Sequence, residues 1–149
     1  MINWKSSLLI VAALLASFSF ADLRRESLLS AKSAAISQAK EQLGVRYLFG
    51  GAEPKRGFDC SGLIQYVYKN VGINTPRNTA GMYEQFKKTT TPEPGDIVFF
   101  IINGQSVSHA GIYLGGNKMI HAARTGKTVE ITRIDTPYWQ KRFYGFGKI

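Results

Sequence analysis

The 149-residue sequence predicts an α+β fold, with helices packed on a central antiparallel sheet. Three observations carry this reading. Apolar residues recur at helical spacing in the first half, at Leu28, Leu29, Ile36, Ala39 and Leu43, and again at Leu63, Ile64 and Val67. From Asp96 onward the apolar stretches shorten to strand length, and turn residues such as Asn103-Gly104 and Gly115-Gly116-Asn117 separate them. No internal repeat or linker divides the chain, and 44% hydrophobic with 19% charged residues is the composition of one folded domain.

Residues 1–21 read as a signal segment. Lys5 is the short positive region, Leu8 to Leu15 the apolar region, and Ser19-Phe20-Ala21 a small-x-small cleavage pattern with the cut after Ala21. The apolar run is short for a membrane span, and an uncleaved N-terminal anchor is the alternative. With no cysteine near the cut, a lipoprotein anchor is not expected. Residues 22–149 then form the mature domain. Asp22 to Arg25 reads as a charged lead-in and residues 27–43 as a packing helix stopped by Gly44. Val45 to Gly51 is a short extended segment running into a glycine loop, and Ala52 to Gly57 is loop. A second helix spans about Cys60 to Lys69 and ends at Gly72. Thr75 to Thr79 is a turn that leads into a short helix from Ala80 to Phe86. Strands are expected at Asp96–Ile102, His109–Leu114, Lys118–Ala123 and Val129–Ile134, with a last one in the aromatic, basic tail from Tyr138.

The net charge of +9 suits an anionic partner, but the basic residues are scattered and no nucleic-acid motif is present. Cys60 is the only cysteine. Asp59 can cap the second helix, which places Cys60 in the first turn, where the helix dipole favours a thiolate. A buried structural cysteine is the plain alternative. An exported chain with one unpaired thiol shifts the balance towards a nucleophile. The two histidines, His109 and His121, lie on strands joined by the Gly115-Gly116-Asn117 turn. A three-residue loop puts them on one face, with His121 opposite Gly111; one residue more puts them on opposite faces. One histidine could take the thiol proton while the other orients it. A zinc site of one cysteine and two histidines remains a third possibility, although no pair has the short spacing of a structural zinc site.

These residues resemble the NlpC/p60 cell-wall cysteine peptidases, from about Ile36 to the C-terminus. Tyr47-Leu48-Phe49-Gly50-Gly51 is similar to the family's Tyr-x-x-Gly-Gly segment, and Phe58-Asp59-Cys60-Ser61-Gly62-Leu63 to its nucleophile motif. Pro76-Arg77-Asn78-Thr79 resembles its Pro-Arg-x-Thr turn and Gly95-Asp96-Ile97-Val98-Phe99-Phe100 its Gly-Asp-Leu-Val-Phe-Phe strand. Ser108 to Leu114 and Met119 to Ala122 resemble its two histidine strands, in order. Ala110 departs from the pattern, since many members carry a β-branched residue there.

The resemblance implies a compact papain-like fold with the nucleophile at a helix N-terminus. It implies Cys60 as nucleophile, His109 as general base, His121 as the orienting third residue, and Tyr47 as a site residue that assists the oxyanion. Asp59 and Ser61 match positions that hold a free amine of the substrate peptide in some members, and Arg77 matches an arginine near the cleft. The implied activity is hydrolysis of an amide bond in peptidoglycan stems or crosslinks, at a D-glutamyl–diaminopimelate or D-alanyl–diaminopimelate linkage, without metal or organic cofactor. The expected location is periplasmic or extracellular, with no stable membrane insertion after cleavage. No appended wall-binding domain is read, so targeting is expected to rest on this domain. The rival readings are a non-catalytic wall-binding module and a papain-like amidase or acyltransferase on another substrate.

Overall fold

The computed structural model describes residues 19–149, so most of the expected signal segment lies outside the described residues. The chain divides between Ser30 and Ala31 into two compact units, the second holding every element after the first helix.

Helix α1 runs Phe20–Glu41, longer at its start than the sequence pattern suggests. The expected lead-in is helical for a local reason. The Ser19 and Asp22 side chains each accept from the other's backbone amide, at 3.3 and 3.1 Å, a reciprocal cap of the kind that starts helices. Leu, Arg and Glu, which fill the next residues, are good helix formers. Ala21, where cleavage is expected, therefore sits in the first turn. Among the described residues no helix is long and apolar enough to cross a membrane.

Two short strands, β1 (Ala52–Glu53) and β2 (Gly57–Phe58), pair where the sequence reads as loop. Helix α2 (Cys60–Asn70) follows, and Gly72 (φ +83°) ends the turn after it. Its Leu63, Ile64, Val67 and Tyr68 are buried against the sheet. Each large apolar side chain of this kind contributes about 1.5–3 kcal/mol. Helix α3 (Thr79–Gln85) is capped by Asn78, whose Oδ1 accepts from the Gly81 amide at 2.8 Å.

The remaining elements are β3 (Lys87–Thr89), β4 (Ile97–Phe100), β5 (His109–Gly115), β6 (Lys118–Ala122), β7 (Val129–Arg133), α4 (Pro137–Gln140) and β8 (Phe143–Lys148). They form one six-stranded antiparallel sheet in the order β3-β8-β4-β5-β6-β7. The last strand therefore inserts between β3 and β4. Two further details differ from the sequence expectation. β3 carries no sequence signal, because Lys-Lys-Thr at a sheet edge has no apolar alternation to reveal it. The tail is a short helix at Pro137–Gln140 before it becomes strand at Phe143, since Pro137 suits a first helical turn.

The sheet has two distinct faces. Ile97, Phe99, Ala110, Ile112, Ile120, Ala122 and Val129 join α2 in the main core. Val98, Phe100, Met119 and Ile134 face the other way and are covered by Trp139 and Phe146. The histidines belong to this second face.

Candidate active site

The β5–β6 turn decides where the histidines point. Gly115 pairs with Lys118, so the turn itself is two residues, Gly116 and Asn117, with φ of +56° and +58°. Positive φ at both centres suits a tight hairpin, and glycine and asparagine accept it. A two-residue turn alone would put the histidines on opposite faces. However, the register shifts between Tyr113 and Gly115, and beyond this bulge Ile112 pairs with Ile120. Extending that register places His121 opposite Gly111, with His109 two residues away on the same face. The three-residue loop expected from sequence thus resolves into a two-residue turn plus a bulge, with the same result. His109 Nε2 and His121 Nδ1 are 2.8 Å apart. Gly111 leaves room here: a β-carbon would lie 2.7 Å from Met119 Sδ and 3.3 Å from His121 Cβ, so Met119 would have to shift.

Cys60 reaches this place from the helix side. It is the first residue of α2, behind the N-cap Asp59, whose Oδ1 accepts from the Gly62 amide at 2.7 Å. The sulfur is 3.7 Å from Thr79 Oγ1 and accepts from the backbone amide of Ala110, the residue after His109. Cys60, His109, His121 and Tyr47 all line one open cleft of about 570 Å³, together with Trp139, Arg124 and Lys127.

A backbone approach fixes the helix start. At Gly62 a β-carbon would sit 2.0 Å from the Gly51 carbonyl oxygen, so the glycine loop lies directly on the first turn. Asp59 ties the two together. Its Oδ2 accepts from the Gly50 amide at 2.9 Å, and Arg77 forks onto both carboxylate oxygens at 3.0 Å each. Arg77 also donates to Ser61 Oγ at 3.0 Å and to the Gly51 carbonyl at 3.4 Å. Asp59, Ser61 and Arg77 are thus brought together in one network, with their hydrogen-bonding capacity turned towards one another. None of the three is among the residues that line the cleft.

Burial dominates the electrostatics. It pushes the Cys60 thiol above its ordinary value, partly offset by the Thr79 hydroxyl and the Ala110 and Ser61 amides. It lowers His109 to about 4. It also lowers His121 to about 3, with the neighbouring His109 adding to the effect. Both shifts favour the neutral thiol and the neutral imidazole. Tyr47 is raised by burial, then by Cys60 and Asp59, and stays a phenol that can donate.

Four participants escape the sequence reading. Trp139 stacks on His109, with ring centroids 5.6 Å apart and 27° between planes, and meets His121 edge-on at 5.4 Å. Thr79 touches the sulfur; it sits in the Pro76–Thr79 turn, which was the one available signal for it. Thr132 Oγ1 is 2.9 Å from His121 Nε2, and Glu130 Oε1 accepts from Thr132 at 3.4 Å. The alternation of β7 could have shown that these two share a face, but not which neighbour they meet.

Comparison with known proteins agrees with this architecture. The model of the NlpC/P60 family matches residues 44–148. The chain is 35% identical over 142 residues to the murein DD-endopeptidase MepH of Escherichia coli, covering 90% of this chain and 52% of that protein. It is 38% identical over 117 residues to a gamma-DL-glutamyl hydrolase of Bacillus subtilis, covering 76% of this chain and 28% of that one. The chain therefore spans about half or less of these relatives. An NLP/P60 family protein from Staphylococcus aureus superposes with a TM-score of 0.74 at 34% identity, over 80% of this chain and 41% of that chain. By its sequence and its fold, this chain belongs to the NlpC/P60 family.

Proposed function

We propose that the chain is an exported cysteine peptidase that hydrolyses amide bonds in peptidoglycan peptides. The observation that carries the proposal is Cys60 at a helix N-terminus, beside a hydrogen-bonded histidine pair and open to a cleft. Peptidoglycan enters from the relatives, one of which is named a murein DD-endopeptidase.

In this reading His109 takes the Cys60 proton as the sulfur attacks the substrate carbonyl carbon. The carbonyl oxygen becomes an oxyanion. It accepts from the Cys60 backbone amide, one of the first-turn amides without an intrahelical partner, and from the Tyr47 hydroxyl. The C–N bond breaks as His109 gives its proton to the departing amine. Water then attacks the thioester carbon and loses a proton to His109, which returns it to the released sulfur. His121 orients His109 throughout. Asp59, Ser61 and Arg77 serve by locking the helix start. Asp59 and Ser61, both contacted by Arg77, are also the residues proposed to hold a substrate ammonium.

The two candidate bonds are the D-alanyl–diaminopimelate crosslink and the D-glutamyl–diaminopimelate stem linkage. Defined muropeptides distinguish them. Loss of a crosslinked dimer with stems intact identifies a D-alanyl–diaminopimelate cut, and shortened monomer stems identify a D-glutamyl–diaminopimelate cut. Both substrates surviving at high enzyme concentration overturns the reading. The export part rests on Lys5, Leu8 to Leu15 and Ser19-Phe20-Ala21. It predicts an envelope protein whose first residue, by N-terminal sequencing, is Asp22; an intact Met1 on protein from that fraction contradicts cleavage.

A further inference from the structure

We propose that Thr132 and Glu130 are positioning residues that set the direction of the proton chain through both histidines. The proposal rests on the reading above, in which His109 accepts the Cys60 proton. Three neighbouring strands bring the groups into one row. His121 pairs with Glu130 and Met119 with Thr132 across β6 and β7. Directly opposed residues share a face, and so do alternate residues of a strand. Glu130 and Thr132 therefore lie on the face of His121, which is also the face of His109. The row runs from His109 Nε2 to His121 Nδ1 at 2.8 Å, from His121 Nε2 to Thr132 Oγ1 at 2.9 Å, and from Thr132 Oγ1 to Glu130 Oε1 at 3.4 Å. The same carboxylate oxygen is 3.8 Å from His121 Nε2.

The direction follows from what each group can donate. A carboxylate only accepts. The single Thr132 hydroxyl hydrogen goes to Glu130, so the Thr132 oxygen accepts from His121 Nε2–H. A neutral imidazole carries one N–H, which leaves His121 Nδ1 as a lone pair. That lone pair accepts from His109 Nε2–H. His109 Nδ1, the ring nitrogen left for Cys60, is then unprotonated and ready to take the thiol proton. Without an acceptor at the end, the reverse chain is equally well bonded. Thr132 would donate to His121, His121 to His109, and the proton would sit on His109 Nδ1, where it blocks proton transfer. Burial keeps both rings neutral, so the tautomer matters rather than the charge.

The test combines tautomer and rate in the full chain. Long-range proton–nitrogen NMR of histidine-labelled protein at neutral pH should show both rings carrying hydrogen on Nε2. Glu130→Gln supplies an amide that can donate as well as accept, and Thr132→Val removes the link. Both should raise the Nδ1–H form and lower kcat on peptidoglycan about tenfold or more, with KM unchanged within about twofold. Thr132→Ser should restore both readouts. The Glu130 side chain is 43% exposed, so its glutamine variant keeps the fold and carries the test if Thr132→Val does not. Wild-type rings protonated on Nδ1, or variants with wild-type tautomers, overturn the proposal. So does a shifted tautomer with kcat within twofold of wild type. If the wild type itself leaves peptidoglycan intact, the proposed function fails, and the tautomer readout still decides the direction of the chain.

Discussion

At Cys60 two influences oppose each other. The helix N-terminus favours a thiolate, as the sequence suggests, while burial at 8% exposure favours the thiol and wins in direction. The histidines respond to burial in the same sense, towards the neutral form. This has a consequence for stability. An unfolded histidine titrates near 6.5, whereas His109 and His121 bind protons only near 4 and 3 in the folded protein. Between those values the unfolded chain holds more protons, so stability rises with pH. Urea unfolding should show the histidine contribution intact above about pH 6.5. It should be lost progressively as pH falls towards 4, with proton uptake on unfolding. His109→Gln should flatten that slope; an unchanged slope would place the depressed titration elsewhere.

At the scale of elements, the glycine loop and helix α2 act as one piece. Gly51, Gly62 and the Asp59–Arg77 fork hold the loop against the first turn. Gly62→Ala should therefore cost about 1–3 kcal/mol by overpacking and displace Cys60, lowering kcat more than the stability loss explains. Thermal melts and peptidoglycan turnover measured together check this; full activity in a stable variant would mean the contact is slack. The same elements show what a sequence makes legible. Helix α2 was readable because its cap, its apolar spacing and the end at Gly72 are local signals. The histidine face was readable because strand parity is local, although the bulge that preserves it was not. Thr132 and Glu130 were missed because their importance depends on β7 lying beside β6. Trp139 was missed because Pro137 turns a tail that reads as strand into a helix.

Across the whole molecule, the Gly95-Asp96 turn gathers distant parts of the chain. Asp96 is fully buried and receives Lys32 Nζ from α1 at 2.6 Å, the Glu93 amide at 2.8 Å and the Ile149 amide at 3.4 Å. The Tyr68 hydroxyl of α2 donates to the Gly95 carbonyl next to it. Lys32 has only 3% of its side chain exposed. Nothing in the helical spacing of α1 marks this lysine, because its partner is 64 residues away. Removing one member of a buried pair leaves the other charge uncompensated, so Lys32→Ala should lose about 3–5 kcal/mol in urea unfolding. A loss below about 1 kcal/mol would show that water or another donor replaces it.

In the proposed function the sulfur of Cys60 performs the cleavage. The most direct measurement is mass spectrometry of purified peptidoglycan after digestion by the wild-type protein and by Cys60→Ala, with folding of both verified. The wild type should release new amine and carboxylate termini, and the variant none above background. Equal fragment release by both proteins, or release by neither while both remain bound to the wall, would contradict it.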